Sequence, residues 1–214
     1  MPAERMRRAA PLWATAILVA VSTMPARAGD KFGQDYPPQV VQRVLDARDL
    51  RSPRGKAPMI AQRDAELAAR ALREVTDAHP RYFRAWFNLG LALNAAFDYK
   101  GAKVAFARAI ALRDELNIRD VTVLNSAGWA AVNNGDHATA ETLLKRALED
   151  IELGSPYTQA SIHYNLAKTY FLTNRPALAK DHADTAVAID SSPEAEVLRR
   201  LLDRSASISR KRKL

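Results

Sequence analysis

With no cysteine in the chain, disulfides, thiolate chemistry, iron–sulfur clusters and the usual structural zinc sites are excluded together, and four histidines remain as candidates for chemistry. None has a promising setting. His79 precedes Pro80 at a predicted helix end, where a histidine meets the helix dipole favourably. His137 follows Asp136 in a turn, and His163 falls in a column of residues read below as core-facing. The run Asp181-His182-Ala183-Asp184 looks like a ligand spacing. On a helix, however, Asp181 and Asp184 share a face while His182 points about 100° away. The chain has no HExxH, no glycine-rich phosphate loop and no serine at a strand-to-helix elbow. The expectation is a protein without catalytic residues, metal or cofactor. A hydrolase pairing His163 with His182 is the one enzymatic reading left.

The elements that would position such side chains are announced by three columns of small residues. Gly90, Gly128 and Ala167 form the first, Ala102, Ala140 and Ala179 the second, Ala109, Ala147 and Ala186 the third, and each steps by 38 and then 39 residues. Small residues held in register signal helices that approach closely at repeated points. In the clearest unit, Trp86, Leu89, Gly90, Leu93 and Phe97 are spaced for one helical face. After a turn at Asp98-Tyr99, Ala102, Phe106, Ala109 and Ile110 are spaced for another. The second unit repeats the pattern with Leu124, Ala127, Gly128, the turn Asn134-Gly135-Asp136, Ala140, Leu144 and Ala147. The third has His163, Leu166, Ala167, Tyr170, the turn Asn174-Arg175-Pro176, Ala179, Ala183 and Ala186.

The order Trp, Leu-Gly, then Ala, Phe and Ala within one unit resembles the tetratricopeptide repeat. The resemblance covers about residues 37–204. It implies an all-α fold, a right-handed α-solenoid of helix-turn-helix hairpins. Three repeats are clear, a partial one precedes them, and a C-terminal helix caps the array.

The partial copy is marked by Ala68, Leu72 and Val75. Its first helix cannot lie in residues 52–58, which hold two prolines and a glycine, so the amphipathic stretch Val40, Val41, Val44, Leu45 is expected to supply the partner. The steps exceed the family's usual period by about one helical turn. That turn is expected as a continuation of the helix through 110–116 and 148–153. Ser192 as N-cap and Pro193 in the first helical position start the capping helix, with Val197, Leu198, Leu201 and Leu202 as its apolar stripe.

At the chain's beginning, Arg5, Arg7 and Arg8, the apolar run 14–21 and Ala26-Arg27-Ala28 have the three parts of a secretory signal, with cleavage expected after Ala28. The apolar run is shorter than the roughly 20 residues that span a bilayer. Residues 29–36 read as a linker, 37–204 as the solenoid and 205–214 as a disordered basic tail. A periplasmic or secreted location follows. The net charge is +8. Residues 1–28 hold four Arg and one Glu, which leaves +5, and removing Arg210, Lys211, Arg212 and Lys213 leaves +1. A nearly neutral body carries no nucleic-acid footprint. The tail is either a solvated end or a weak contact for anionic lipid headgroups.

Arrays of the family that the chain resembles present one side of each first helix along a concave groove. Opposite the core-facing Trp86, Leu89, Gly90 and Leu93 lie Arg84, Phe87, Asn88 and Leu91. Thr122, Asn125, Ser126 and Trp129 come next, followed by Ser161, Tyr164, Asn165 and Lys168. This surface mixes aromatic rings with amides and holds no carboxylate. Its amides can both donate to and accept from a peptide backbone, its rings give contact area at low entropy cost, and Arg84 and Lys168 suit an acidic group. The resemblance therefore implies a scaffold binding an extended segment of another protein, with self-association through the repeats as the alternative. On the first reading, replacing Asn88, Asn125 and Asn165 together leaves stability nearly intact. Otherwise the three amides fix helix stacking, and Phe87 and Trp129 pack between hairpins.

Overall fold

The computed structural model describes residues 36–51 and 58–211, with side chains up to residue 205. The expected signal segment 1–28, and the linker apart from Tyr36, lie outside the described residues. The described residues from 39 onward belong to one compact unit, and of the preceding unit only 36–38 are described.

Among the described residues there are nine α-helices, one short 3-10 turn and no strand. They are α1 (Pro38–Arg51), α2 (Pro58–Ala78), α3 (Phe83–Ala95), α4 (Tyr99–Glu115), α5 (Val121–Asn133), α6 (His137–Leu148), α7 (Pro156–Leu172), α8 (Pro176–Ile189) and α9 (Pro193–Lys211). Helices α3/α4, α5/α6 and α7/α8 are the three expected hairpins. They stack through α4–α5 and α6–α7, and through the first helices α3–α5 and α5–α7, while α2 packs on α3 and α9 on α8. The result is a tetratricopeptide-like α-solenoid. Upstream, α1 buries Val44 and Ala47 and reaches α2 through the Arg43–Glu74 ion pair.

The small-residue columns do what their spacing demands. A Cβ on Gly90 would fall 2.7 Å from the Phe106 ring, and one on Gly128 would fall 2.7 Å from Leu144 Cγ. In the third hairpin the same two columns hold Ala167 and Ala183, both fully buried. Glycine thus stands where its partner is large, and alanine where its partner is small. Large and small side chains compensate across the contact, as close packing requires.

Each hairpin turns in the same way. Phe97, Gly135 and Asn174 have φ of 63°, 78° and 56°, the left-handed conformation, at steps of 38 and 39. In each turn the next residue's N–H bonds back to the helix: Asp98 to Leu93 O, Asp136 to Ala131 O, Arg175 to Tyr170 O, at 2.8–2.9 Å. Asp98 and Asp136 then cap the second helix by accepting from Gly101 N and Thr139 N, and Pro176 opens α8.

Four expectations change. Phe97 does not continue the apolar face of α3; it is the turn residue and is 62% exposed. Trp86 is half-buried, its indole N–H donating to Pro80 O at 3.0 Å. The extra turn of the second unit is not helix: α6 stops at Leu148, and Ile151–Leu153 is a separate 3-10 turn. There Asp150 is held by Arg119 at 2.6 Å and by the buried Arg113 at 3.3 Å. Finally, α9 runs to Lys211, past the expected end at 204. Residues 205–211 contain neither proline nor glycine, so a helix begun at Pro193 has nothing local to stop it.

Candidate functional site

The site is assembled from α5, α7 and the start of α9. Ser155 caps α7 by accepting from Thr158 N, with Pro156 in the first helical position. Tyr157, Ala160, Ser161, Tyr164, Asn165 and Lys168 then follow at helical spacing on one side of α7. Trp129 comes from α5. Ser192, which accepts from Ala195 N at 3.2 Å, starts α9 and brings Asp190 and Glu194 up to α7.

Trp129, Tyr157, Ala160, Ser161, Tyr164, Asn165, Asp190 and Glu194 line a recess of about 290 Å³. It adjoins an apolar recess of about 420 Å³ between α7 and α9, lined by Lys168, Phe171, Leu172, Val197 and Leu201, and the two share Tyr164 and Glu194. Trp129 and Tyr157 are 40% and 71% exposed. Burial, and next the Glu194 carboxylate, push the Tyr164 hydroxyl above its ordinary pKa.

The residues expected along the groove divide into two groups. Trp129, Tyr164 and Lys168 stand at the recesses, Lys168 also donating to Asn133 Oδ1 at 3.0 Å. Leu91, in the same column as Trp129 and Lys168, is half-buried. Arg84 is half-buried too, and its carbonyl accepts from Asn88 Nδ2 at 2.8 Å. Phe87 is half-buried as well, with its ring centroid 6.1 Å from Phe83 and 6.4 Å from Phe106. The three asparagines are buried, Asn165 in the wall of the first recess. Asn165 Nδ2 donates to Asn125 Oδ1 at 2.9 Å, and Asn125 Nδ2 donates to Ser161 Oγ at 3.1 Å. These amides tie α5 to α7. Asn125 is not in the column of Asn88 and Asn165, which passes through Ser126; its repeat equivalents are Phe87 and Tyr164.

Two features escaped the sequence reading. The groove was expected to lack carboxylates, but Asp190 and Glu194 reach it from beyond the third hairpin. A second cleft of about 410 Å³ lies between α4 and the α5/α6 hairpin. Its floor is Ala127 and Ala131, where the other hairpins have Leu89 and Leu166, and Leu93 and Tyr170.

The expected core histidine, His163, is half-buried and paired across the third hairpin, with Nδ1 2.9 Å from His182 Nδ1. The Tyr170 ring lies tilted against His182, with centroids 5.5 Å apart, and Arg175 lies over the Tyr170 ring at 4.5 Å. Burial holds both imidazoles below their ordinary pKa. Beside them Glu141 accepts from Arg175 and Lys145, which lowers its pKa to about 2. Among the described residues no cluster of three or more His, Asp or Glu is placed to hold a metal, and no helix is long and apolar enough to cross a membrane.

By sequence, residues 60–116 and 125–196 match the family model described as the tetratricopeptide repeat. No curated protein matches. Among solved structures, PilF of Pseudomonas aeruginosa is 18% identical and superposes with a TM-score of 0.62, over 81% of this chain and 74% of that one. An ArsTM double mutant of MamA RS-1 is 16% identical, with a TM-score of 0.56 over 79% of this chain and 97% of that one. At such identities the likeness speaks to fold alone. The family model covers more than half of the sequence, in the hairpins whose packing is described above: the chain belongs to the tetratricopeptide repeat family, whose arrays are protein–protein interaction scaffolds and in general not catalysts.

Proposed function

We propose that this protein is an exported adaptor of the cell envelope that holds an extended segment of a partner protein along the face of α5, α7 and α9. The observation that carries this reading is the pair of adjoining recesses, about 290 and 420 Å³, flanked by the exposed rings of Trp129 and Tyr157. Rigid aromatic side chains at the edge of an open depression are what interface anchors look like. The more polar first recess and the apolar second suit successive side chains of one strand-like segment, with Lys168 beside the second for an acidic group.

A photo-crosslinking amino acid at Tyr157 or Lys168 in cells should attach the protein to one partner, and the same residue at Asp181 on α8 should not. Equal crosslinking from all three positions sinks the reading. Export with removal of residues 1–28 belongs to the same proposal, and the intact mass of the mature protein checks it: the chain should begin at Gly29.

Self-association is the second reading, favoured by exposed Phe171, Leu172, Val197 and Leu201 at the end of the array. Light scattering over a concentration series separates the two. An adaptor keeps one mass, whereas end-to-end stacking gives a mass that climbs with concentration.

A further inference from the structure

The first recess has a chemistry of its own. Three rings, Trp129, Tyr157 and Tyr164, share it with two carboxylates, Asp190 and Glu194. Among the described residues neither carboxylate makes an ion pair, whereas Asp136, Asp114 and Glu141 each pair with a Lys or Arg of a neighbouring element. At the inner wall is Asn165, 1% exposed, whose Oδ1 is a buried acceptor without a hydrogen-bond partner. Its Nδ2 is committed to Asn125 Oδ1, so the amide cannot turn its oxygen inward without losing that bond.

Electron-rich ring faces, two carboxylates and an unmet acceptor all ask for the same guest: a cation that carries N–H donors. We infer that the recess receives an arginine side chain of the bound segment, its guanidinium stacked among Trp129, Tyr157 and Tyr164 and donating to Asp190 and Glu194. Arginine fits better than lysine because its planar fork can stack on a ring and still present donors in several directions in the plane. The inference rests on the groove reading above and adds a charge requirement at one position of the segment.

The test uses two peptides, acetyl-Gly-Gly-Arg-Gly-Gly-amide and the same peptide with citrulline, a neutral isostere, in place of arginine. Each is titrated into the mature protein by NMR, following the Trp129 indole and the Tyr157 ring. The arginine peptide should shift both signals saturably and bind at least ten-fold more tightly than the citrulline peptide. Added sodium chloride should weaken it. In Asp190→Asn/Glu194→Gln the arginine peptide should fall to the citrulline level, with unchanged helical circular dichroism. Trp129→Ala, at an exposed position on α5, should weaken it as well.

Equal affinity for the two peptides overturns the inference, as does the absence of any shift with either. The two proposals can fail separately. If crosslinks from Lys168 find a partner while the peptides bind alike, only the arginine requirement falls. If the arginine peptide binds selectively and the crosslinks find nothing, the groove reading falls and the cation pocket stands.

Discussion

Adding a single methyl group at Gly128 tests the packing rule on which the stack depends. In Gly128→Ala the new Cβ would stand 2.7 Å from Leu144 Cγ and 2.8 Å from Cδ2, against an ordinary carbon separation of about 3.5–4.0 Å. Leu144 is fully buried and cannot swing into solvent, so α5 and α6 must separate or Leu144 must leave its rotamer. Overpacking of this kind costs about 1–3 kcal/mol, while alanine in place of a mid-helix glycine returns about 1 kcal/mol. The net expectation is a loss of up to about 2 kcal/mol, with a Tm lower by as much as a few degrees. Leu144→Ala alone should cost about 2–5 kcal/mol through the cavity it leaves. The double variant recreates the Ala167/Ala183 pair of the third hairpin, where two alanines meet without strain. It should therefore be more stable than the sum of the single losses predicts, by about 1–2 kcal/mol. Urea denaturation of the four proteins measures this coupling. Gly128→Ala more stable than wild type, or losses that add within about 0.5 kcal/mol, would refute the argument that these columns pack as compensating pairs.

Three further outcomes follow from the same geometry. Asn165→Ala should lower stability by about 1–3 kcal/mol, because it leaves Asn125 Oδ1 buried without its donor; an unchanged urea midpoint would return these amides to the groove. Glu141 has a folded pKa of about 2, held down by Arg175 first and Lys145 second. Its contribution is present above the ordinary carboxylate value of 4.5 and is lost as pH falls through 2, so Glu141→Gln should flatten stability against pH in that window, measured by thermal melts. The lowered pKa values of His163 and His182 mean the folded state binds fewer protons than the unfolded one. Stability is then full above about pH 6.5 and declines as pH falls below it. The variant His163→Leu/His182→Leu copies the Leu124/Leu143 pair of the second hairpin and should show no such decline between pH 6.5 and 5.

The hairpins were legible because close approach between helices leaves a local trace: a glycine or alanine that cannot be anything larger. The turns were legible where their residues were of turn type, as at Asn134-Gly135-Asp136, and hidden where they were not. Phe97 is a bulky residue in a left-handed conformation, and nothing in its type distinguishes it from one more apolar residue of α3. The open side of the first helices was harder still. One residue is about 100° of rotation, so Asn88 passed as surface while it is buried, and Phe87 while its ring leans on Phe83 and Phe106. The three asparagines looked like one series although Asn125 stands one position away from the others' column. Asp190 and Glu194 were out of reach for a different reason: they join Trp129 across some sixty residues of chain, and no periodicity links a capping helix to the second repeat.

Stacking itself explains why a receptive pocket sits at this end of the array. Between α5 and α7, polar groups of one first helix are met by the next, as Asn125 is met by Ser161 and Asn165. At α7 the repeats run out. Helix α9 covers the apolar edge of α8 with Ala195, Leu198 and Leu202, but it brings no amide or hydroxyl to Asn165 Oδ1, and it sets two carboxylates beside rings that no following hairpin buries. A terminal helix that closes the core therefore leaves the polar side of the last first helix unmatched. Exposed rings beside two carboxylates and an unmatched acceptor at the end of a stack are what the inferred arginine of another molecule would complete.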